Sequence, residues 1–328
     1  MKAGKLSNSA LRRSVIKQLH KATDAQHSNP NVGADYGLVE MAEDETLILS
    51  MDPITLSQTT PGWLGICAAL NDVACAGATP FAVLVSILLP TTATEDTLRR
   101  ITGELREACA KHHIQMLGGH TEVTRAVREP LITVTGIGRV AAAHRLDCRN
   151  IKPGMEIVAT KWIGLEGTAI LAAERADELQ TRFSIPFLQQ AREFMRIVPI
   201  WPEAAVAVKS GASAVHDVSE GGIYGALWDM AERAGVGLEI DLQRIPVRQE
   251  TVEICEFFDL NPYKLLGGGC ALIATADAEG LVQNLTAEHI PAVVIGRTTD
   301  GNDRILFRGE ERRFLETTQT DELHKILA

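Results

Sequence analysis

The sequence predicts a mixed α/β chain folded as two domains, and three observations carry that expectation. Its 328 residues exceed what a single hydrophobic core ordinarily serves. In both halves, runs of strand character end in glycines that open helices. Between the halves the composition shifts over 141–150, and the turn Ile151-Lys152-Pro153-Gly154 follows. The domains are therefore read as residues 1–145 and 146–328.

The stretch 46–95 anchors the first half. A β-rich run from Thr46 to Ser50 ends at Asp52, and Thr60-Pro61 starts a helix, because the hydroxyl can cap and proline fits the first helical position. That helix carries Trp63, Leu64, Ile66, Cys67, Leu70 and Val73 and stops near Gly77. Phe81 to Leu89 then reads as a buried strand. Between Asp52 and Glu95 the one formally charged side chain is Asp72, with Asn71 beside it. A helix apolar on nearly all sides is normally buried, and a buried carboxylate needs a partner or a metal. Two readings fit: Asp52 and Asp72 converge on a cation, or Asp72 faces solvent near a helix end.

The remaining elements follow from periodicity. Residues 9–20 read as an amphipathic helix, and the polar loop after it, containing Gly33 and Asp35, leads into a strand at 37–41. Asp35 alone reads as a turn aspartate. Leu98, Ile101, Leu105 and Cys109 mark a helix over 94–113. Ile114 to Leu117 is a short strand running into Gly118-Gly119-His120-Thr121-Glu122, a pattern that brings backbone and side chains close to a ligand or simply turns the chain. Pro130 to Val140 is a further strand.

In the second half, strand 156–162 leads through Gly164-Leu165-Glu166-Gly167-Thr168 into a helix from Ala169. Glycines at a helix start leave N–H groups that favour an anion such as phosphate, although an ordinary strand-to-helix turn has the same look. His216-Asp217-Val218-Ser219-Glu220-Gly221-Gly222 is a second such junction, whose polar residues also suit a helix cap. Helices at 185–197, 202–210, 251–258 and 278–285 and strands at 237–240 and 271–275 complete the reading, with strands near Val293 and Ile305.

Composition excludes several classes. With 45% hydrophobic and 23% charged residues the chain has ample core and an ordinary soluble surface. A net charge of −10 argues against a general nucleic-acid surface, which needs clustered Lys and Arg. The six cysteines form no CxxC pair, so they read as reduced thiols of a cytoplasmic protein. The basic N-terminus lacks an apolar core, and no apolar run reaches membrane-spanning length. No nucleic-acid partner and no membrane are therefore expected.

Taken in order, the junctions resemble the aminoimidazole ribonucleotide (AIR) synthase superfamily over nearly the whole chain. The resemblance rests on Gly33-Ala34-Asp35, Ser50-Met51-Asp52, Asn71-Asp72 before Ala76-Gly77-Ala78-Thr79-Pro80, Gly118-Gly119-His120-Thr121 and the two junctions of the second half. It implies a two-domain α/β chain whose N-terminal halves pair in a homodimer to form a β-barrel, with ATP and Mg²⁺ in clefts along it. Asp35, Asp52, Asp72 and Glu122 would then be metal ligands. Asn71, Gly118, Gly119, Thr121, Gly167, Thr168, Gly221 and Gly222 would contact the nucleotide, and Asp72, His120 and Asp217 would act in catalysis. The implied chemistry uses ATP to phosphorylate a carbonyl, amide or similar oxygen. The runner-up readings are a small-molecule kinase and a non-catalytic nucleotide-binding protein.

The departures bear on activity. Ala34 stands where the family has an acid, and His120 stands where it has Asp or Glu. A neutral imidazole is a poor substitute for a carboxylate toward Mg²⁺. The motif set is most similar to the poorly defined AIR synthase-related branch near the hydrogenase maturation factor HypE, without that protein's C-terminal cysteine.

Overall fold

A computed structural model describes residues 4, 5, 13, 14, 17, 45–316 and 321–327. The chain divides into two compact units, one of Met1–Val73 with Ala78–Ala143 and one of Ala74–Gly77 with His144–Ala328. Gly33, Ala34 and Asp35 and the strand expected at 37–41 lie outside the described residues.

The first unit is built on β1 (Gly4–Lys5), β2 (Glu45–Ile54), α1 (Pro61–Cys75), β3 (Thr79–Pro90), α2 (Glu95–Lys111), β4 (Gln115–Thr124) and β5 (Leu131–Ala141). Its strands form one five-stranded sheet in the order β1-β4-β3-β5-β2. The β3–β4 pair is parallel, because α2 crosses between them, and β3–β5 and β2–β5 are antiparallel. Among the described residues this sheet is open and closes no barrel by itself; the barrel implied by the resemblance is one formed by two chains.

Alternation decides which residues each face presents. Val83, Val85, Ile87 and Leu89 of β3 are buried. Gly136 of β5 sits so close under α1 that an added Cβ would stand 2.5 Å from the Ala69 carbonyl oxygen. These positions therefore define the helix-covered face. The opposite face carries Leu47, Leu49 and Met51 of β2, and Leu49 and Met51 are 58% and 65% exposed.

Helix α1 begins at Pro61 as its sequence predicts, but the capping differs. The Thr60 hydroxyl is buried without a hydrogen-bond partner. Glu104 of α2 instead accepts from the Gly62 N–H at 3.0 Å and is held by Arg100 at 2.6 Å. Burial raises the Glu104 carboxyl above its ordinary range, partly offset by that N–H.

The second unit holds β6 (Glu156–Thr160), α3 (Leu165–Glu174), α4 (Ala176–Leu179), α5 (Ile185–Glu193), α6 (Trp201–Lys209), β7 (Ala214–Asp217), α7 (Gly222–Ala234), β8 (Gly237–Asp241), α8 (Gln249–Phe257), β9 (Ala271–Thr275), α9 (Ala278–Ala287), β10 (Ala292–Thr299), β11 (Arg304–Arg308), β12 (Glu311–Phe314) and α10 (His324–Leu327). Its seven strands run in the order β12-β11-β8-β10-β6-β9-β7. The central strands are apolar on both faces, so alternate residues feed two cores. Ile157, Ala159, Leu272 and Ala274 pack with Ile223, Leu227 and Met230 of α7. Val158, Ala271 and Ile273 pack with Ala204 and Ala207 of α6 and Leu281 and Leu285 of α9. Among the described residues no helix is long and apolar enough to cross a membrane.

Candidate functional site

Two of the four predicted metal acids, Asp52 and Asp72, meet in the first unit. Strand β2 continues through Ile54 instead of ending at Asp52, and Asp52 pairs with Val134 inside the ladder. Ser50 and Asp52 share the helix-covered face by alternation, and α1 lays Asp72 over it. The Ser50 hydroxyl donates to Asp72 Oδ2 at 2.6 Å and lies 3.3 Å from Asp52 Oδ2. A hydroxyl has one proton, so the shorter contact takes it and the two carboxylates are left gathered around one oxygen. Asn71, the preceding residue of α1, is buried. Ser50 is a site residue that its motif contains but that sequence reasoning gave no role.

Among the described residues no group of three acids, histidines or cysteines is arranged to hold a metal ion. The pair itself fits Mg²⁺, a hard ion commonly held by one or two carboxylates together with substrate phosphates.

The residues of β4 stand elsewhere. Gly118, Gly119, His120, Thr121 and Glu122 belong to a continuous strand, not to a loop after one. Glycine is required at 119, where φ is +150° and an added Cβ would lie 1.7 Å from the Val85 carbonyl oxygen. Register places His120 opposite Ser86 and Glu122 opposite Leu88, on the open face. There His120 Nε2 lies 3.2 Å from Glu122 Oε2. Gly119 and Thr121 alternate toward the helix-covered face, but β5 and β3 stand between their strand and β2. One chain therefore does not bring Glu122 to Asp52 and Asp72 as a shared metal ligand. Strand order and parity are the reason.

In the second unit several N–H groups of the two glycine junctions have partners within the chain. Helix α3 begins at Leu165, four residues earlier than its sequence suggests, and the Gly167 N–H donates to the Leu266 carbonyl at 3.0 Å. The Thr168 N–H bonds back to Gly164, and its hydroxyl, fully buried, donates to the same carbonyl at 2.6 Å. At the start of α7 the Gly222 N–H donates to Ser219 at 3.1 Å. The Gly221 N–H donates to Asp321 Oδ2 at 2.7 Å. The anion on that helix end is the chain's own.

Asp217 ends β7, and the neighbouring His216 Nδ1 donates to the Asp217 carbonyl at 2.7 Å. Glu166, in the first turn of α3, is pushed up to about 8 by desolvation first and by the charges of Asp217 and Asp321 next, against an N–H bond from Gly268. Asp321 is raised by burial, which outweighs the N–H groups of Leu323, Gly221 and Leu266. Nothing in the local sequence flags Asp321, because its partner lies 100 residues away. Asp72 and His120 belong to one compact unit and Asp217 to the other.

Comparison with known proteins agrees with this architecture. Residues 33–140 match the AIR synthase related protein N-terminal domain and residues 152–308 its C-terminal domain. A putative hydrogenase expression/formation protein of Methanocaldococcus jannaschii is 25% identical over 265 residues, covering 78% of this chain and 77% of its own. Carbamoyl dehydratase HypE of Rhodobacter capsulatus is 26% identical, covering 72% and 69%. Thiamine-monophosphate kinase of Methanospirillum hungatei is 29% identical, covering 73% and 74%. Among solved structures, Escherichia coli HypE superposes with a TM-score of 0.82 at 19% identity, covering 97% of this chain and 99% of that one. A HypE structure in complex with ATP gives 0.76 at 17% identity, covering 96% and 95%. Both halves being matched, the chain belongs to the AIR synthase-related family.

Proposed function

We propose that this protein is an ATP- and Mg²⁺-using enzyme that phosphorylates a carbonyl, amide or similar oxygen of a small molecule or a peptide terminus. The observation that carries the reading is the Ser50 hydroxyl standing between the carboxylates of Asp52 and Asp72. Support comes from relatives named carbamoyl dehydratase and from the HypE structure with ATP.

Asp52 and Asp72 would hold the ion, and Asp35 is the proposed third ligand on the strength of its motif. When bound, Mg²⁺ bridges phosphate oxygens and neutralises charge that develops during transfer. The chain's part is placement. Ser50 fixes one Asp72 oxygen, burial of Asn71 fixes this stretch of α1, and the sheet fixes Asp52. Asp217 and the His120–Glu122 pair stay in the proposal as groups that carry or accept protons. We also propose that two copies pair through the open face of the first sheet.

A kinase reading is favoured by one observation, the 29% identity to thiamine-monophosphate kinase. Phosphate release from ATP with Mg²⁺, measured with candidate amide and phosphomonoester acceptors, separates the two. Asp72→Asn should lower turnover by about 10²-fold or more, the usual cost of removing one preorganised electrostatic contact. Tight Mg²⁺–ATP binding with no turnover on any acceptor would leave a nucleotide-binding protein. Equal Mg²⁺–ATP affinity in wild type and variant would remove Asp72 from the site.

A further inference from the structure

Strand β6 runs out into Lys161, which is costly there on two counts. Its φ of +50° lies in the left-handed region, where a side chain is strained and glycine is not. Its ammonium, 9% exposed, pairs at 2.6 Å with Glu203, which is 2% exposed. The Glu203 Oε2 atom is buried without a hydrogen-bond partner. A buried ion pair with an orphan oxygen on a strained backbone stabilises a fold no better than apolar side chains of the same volume.

What the ammonium does hold is a turn. Its other two protons go to the carbonyls of Ile197 at 2.8 Å and Pro199 at 2.7 Å, in the connection from α5 to α6. That turn lies on the loop Gly267-Gly268-Gly269, whose glycines each face a different neighbour. An added Cβ at Gly269 would stand 2.9 Å from the Ile197 carbonyl oxygen, and one at Gly267 would stand 2.4 Å from Val218 Cγ1. At Gly268 it would lie 1.9 Å from Glu166 Oε2. The loop in turn grips the residues after Asp217. The Val218 N–H donates to the Cys270 carbonyl at 3.0 Å, and the Gly267 N–H donates to the Ser219 carbonyl at 3.3 Å. Contacts this close leave no slack, so a displaced turn displaces the end of β7.

We propose that Lys161 is a positioning residue for Asp217: it pins the Ile197–Pro199 turn on the three-glycine loop and so fixes the end of β7. The inference deepens the proposed function, on whose reading of Asp217 as a proton-carrying group its catalytic consequence rests. The placement itself rests on the contacts alone.

Amide hydrogen exchange of the full-length protein reads the placement without any ligand. Lys161→Met combined with Glu203→Gln removes both charges and leaves no lone ion buried. The reference is the Leu238 amide of the same unit, bonded to the Asp303 carbonyl at 2.8 Å. Exchange at Val218 and Gly267 should accelerate over wild type by a factor at least about tenfold greater than at Leu238. An acceleration no greater than that of Leu238 overturns the proposal, since it marks a role in overall stability alone. If the double variant lacks a cooperative melt, Lys161→Gly with Glu203→Gln serves, because it also relieves the left-handed strain. The same two amides should loosen in it, and rates that follow Leu238 sink the inference. Phosphate release from ATP with Mg²⁺ reads the consequence. In the variant kcat should fall about tenfold or more. KM for ATP should hold, because Asp52 and Asp72 belong to the other unit. Loosened amides with unchanged kcat would uphold the placement and remove Asp217 from the chemistry.

Discussion

At the scale of single residues, strand parity and one covering helix gather Ser50, Asp52 and Asp72. Ser50 and Asp52 are two apart on a strand, so they share a face, and a helix covering that face brings Asp72 to them. That much follows from motif and period. Glu166 is different. Its neighbours Asp217 and Asp321 come from distant parts of the chain, so no local pattern reports its environment. Its folded value of about 8 lies above its ordinary 4.5. The resulting stability is complete below the lower value and is lost as pH rises toward the upper one. Glu166→Gln has no such titration. Its stability relative to wild type should rise by at most about 1 kcal/mol per pH unit between about pH 5 and pH 8 and level off above, partial exposure reducing the slope. Urea melts across that range check it, and a flat difference would remove the burial argument.

Among elements, the helix and strand rhythm was legible because core residues recur at 3.6 and 2.0 residues. The misreadings came where tertiary contact outweighs local chemistry. Gly118-Gly119 looks like a turn, but glycine at 119 answers the approach of the Val85 carbonyl inside a strand. Thr60 looks like a helix cap, but Glu104 from α2 does that work. Gly136 shows how tightly element placement controls the site. Its missing side chain lets α1 lie directly on β5, which sets the height of Asp72 above Ser50. Gly136→Val should lift α1, cost about 1–3 kcal/mol from overpacking, and weaken Mg²⁺–ATP binding together with stability. Thermal melts and calorimetric titration read both, and loss of stability without loss of binding would separate the helix from the site.

For the whole molecule, the two-domain expectation came from length and from the turn at 151–154, whereas dimer formation and the barrel were implied by resemblance alone. The open sheet face with Leu49 and Met51 exposed is what supports pairing between copies. Met51→Lys should shift the protein to monomer in light scattering after size exclusion while leaving its melt cooperative. A dimer unchanged by that substitution would place the contact elsewhere. The bond from Gly221 to Asp321 spans 100 residues of chain. On a ribosome adding about 5–20 residues each second, the amide waits roughly 5–20 s for its partner to be synthesised. Throughout that interval water is the partner left to the Gly221 N–H, so α7 gains its cap only after Asp321 has been made.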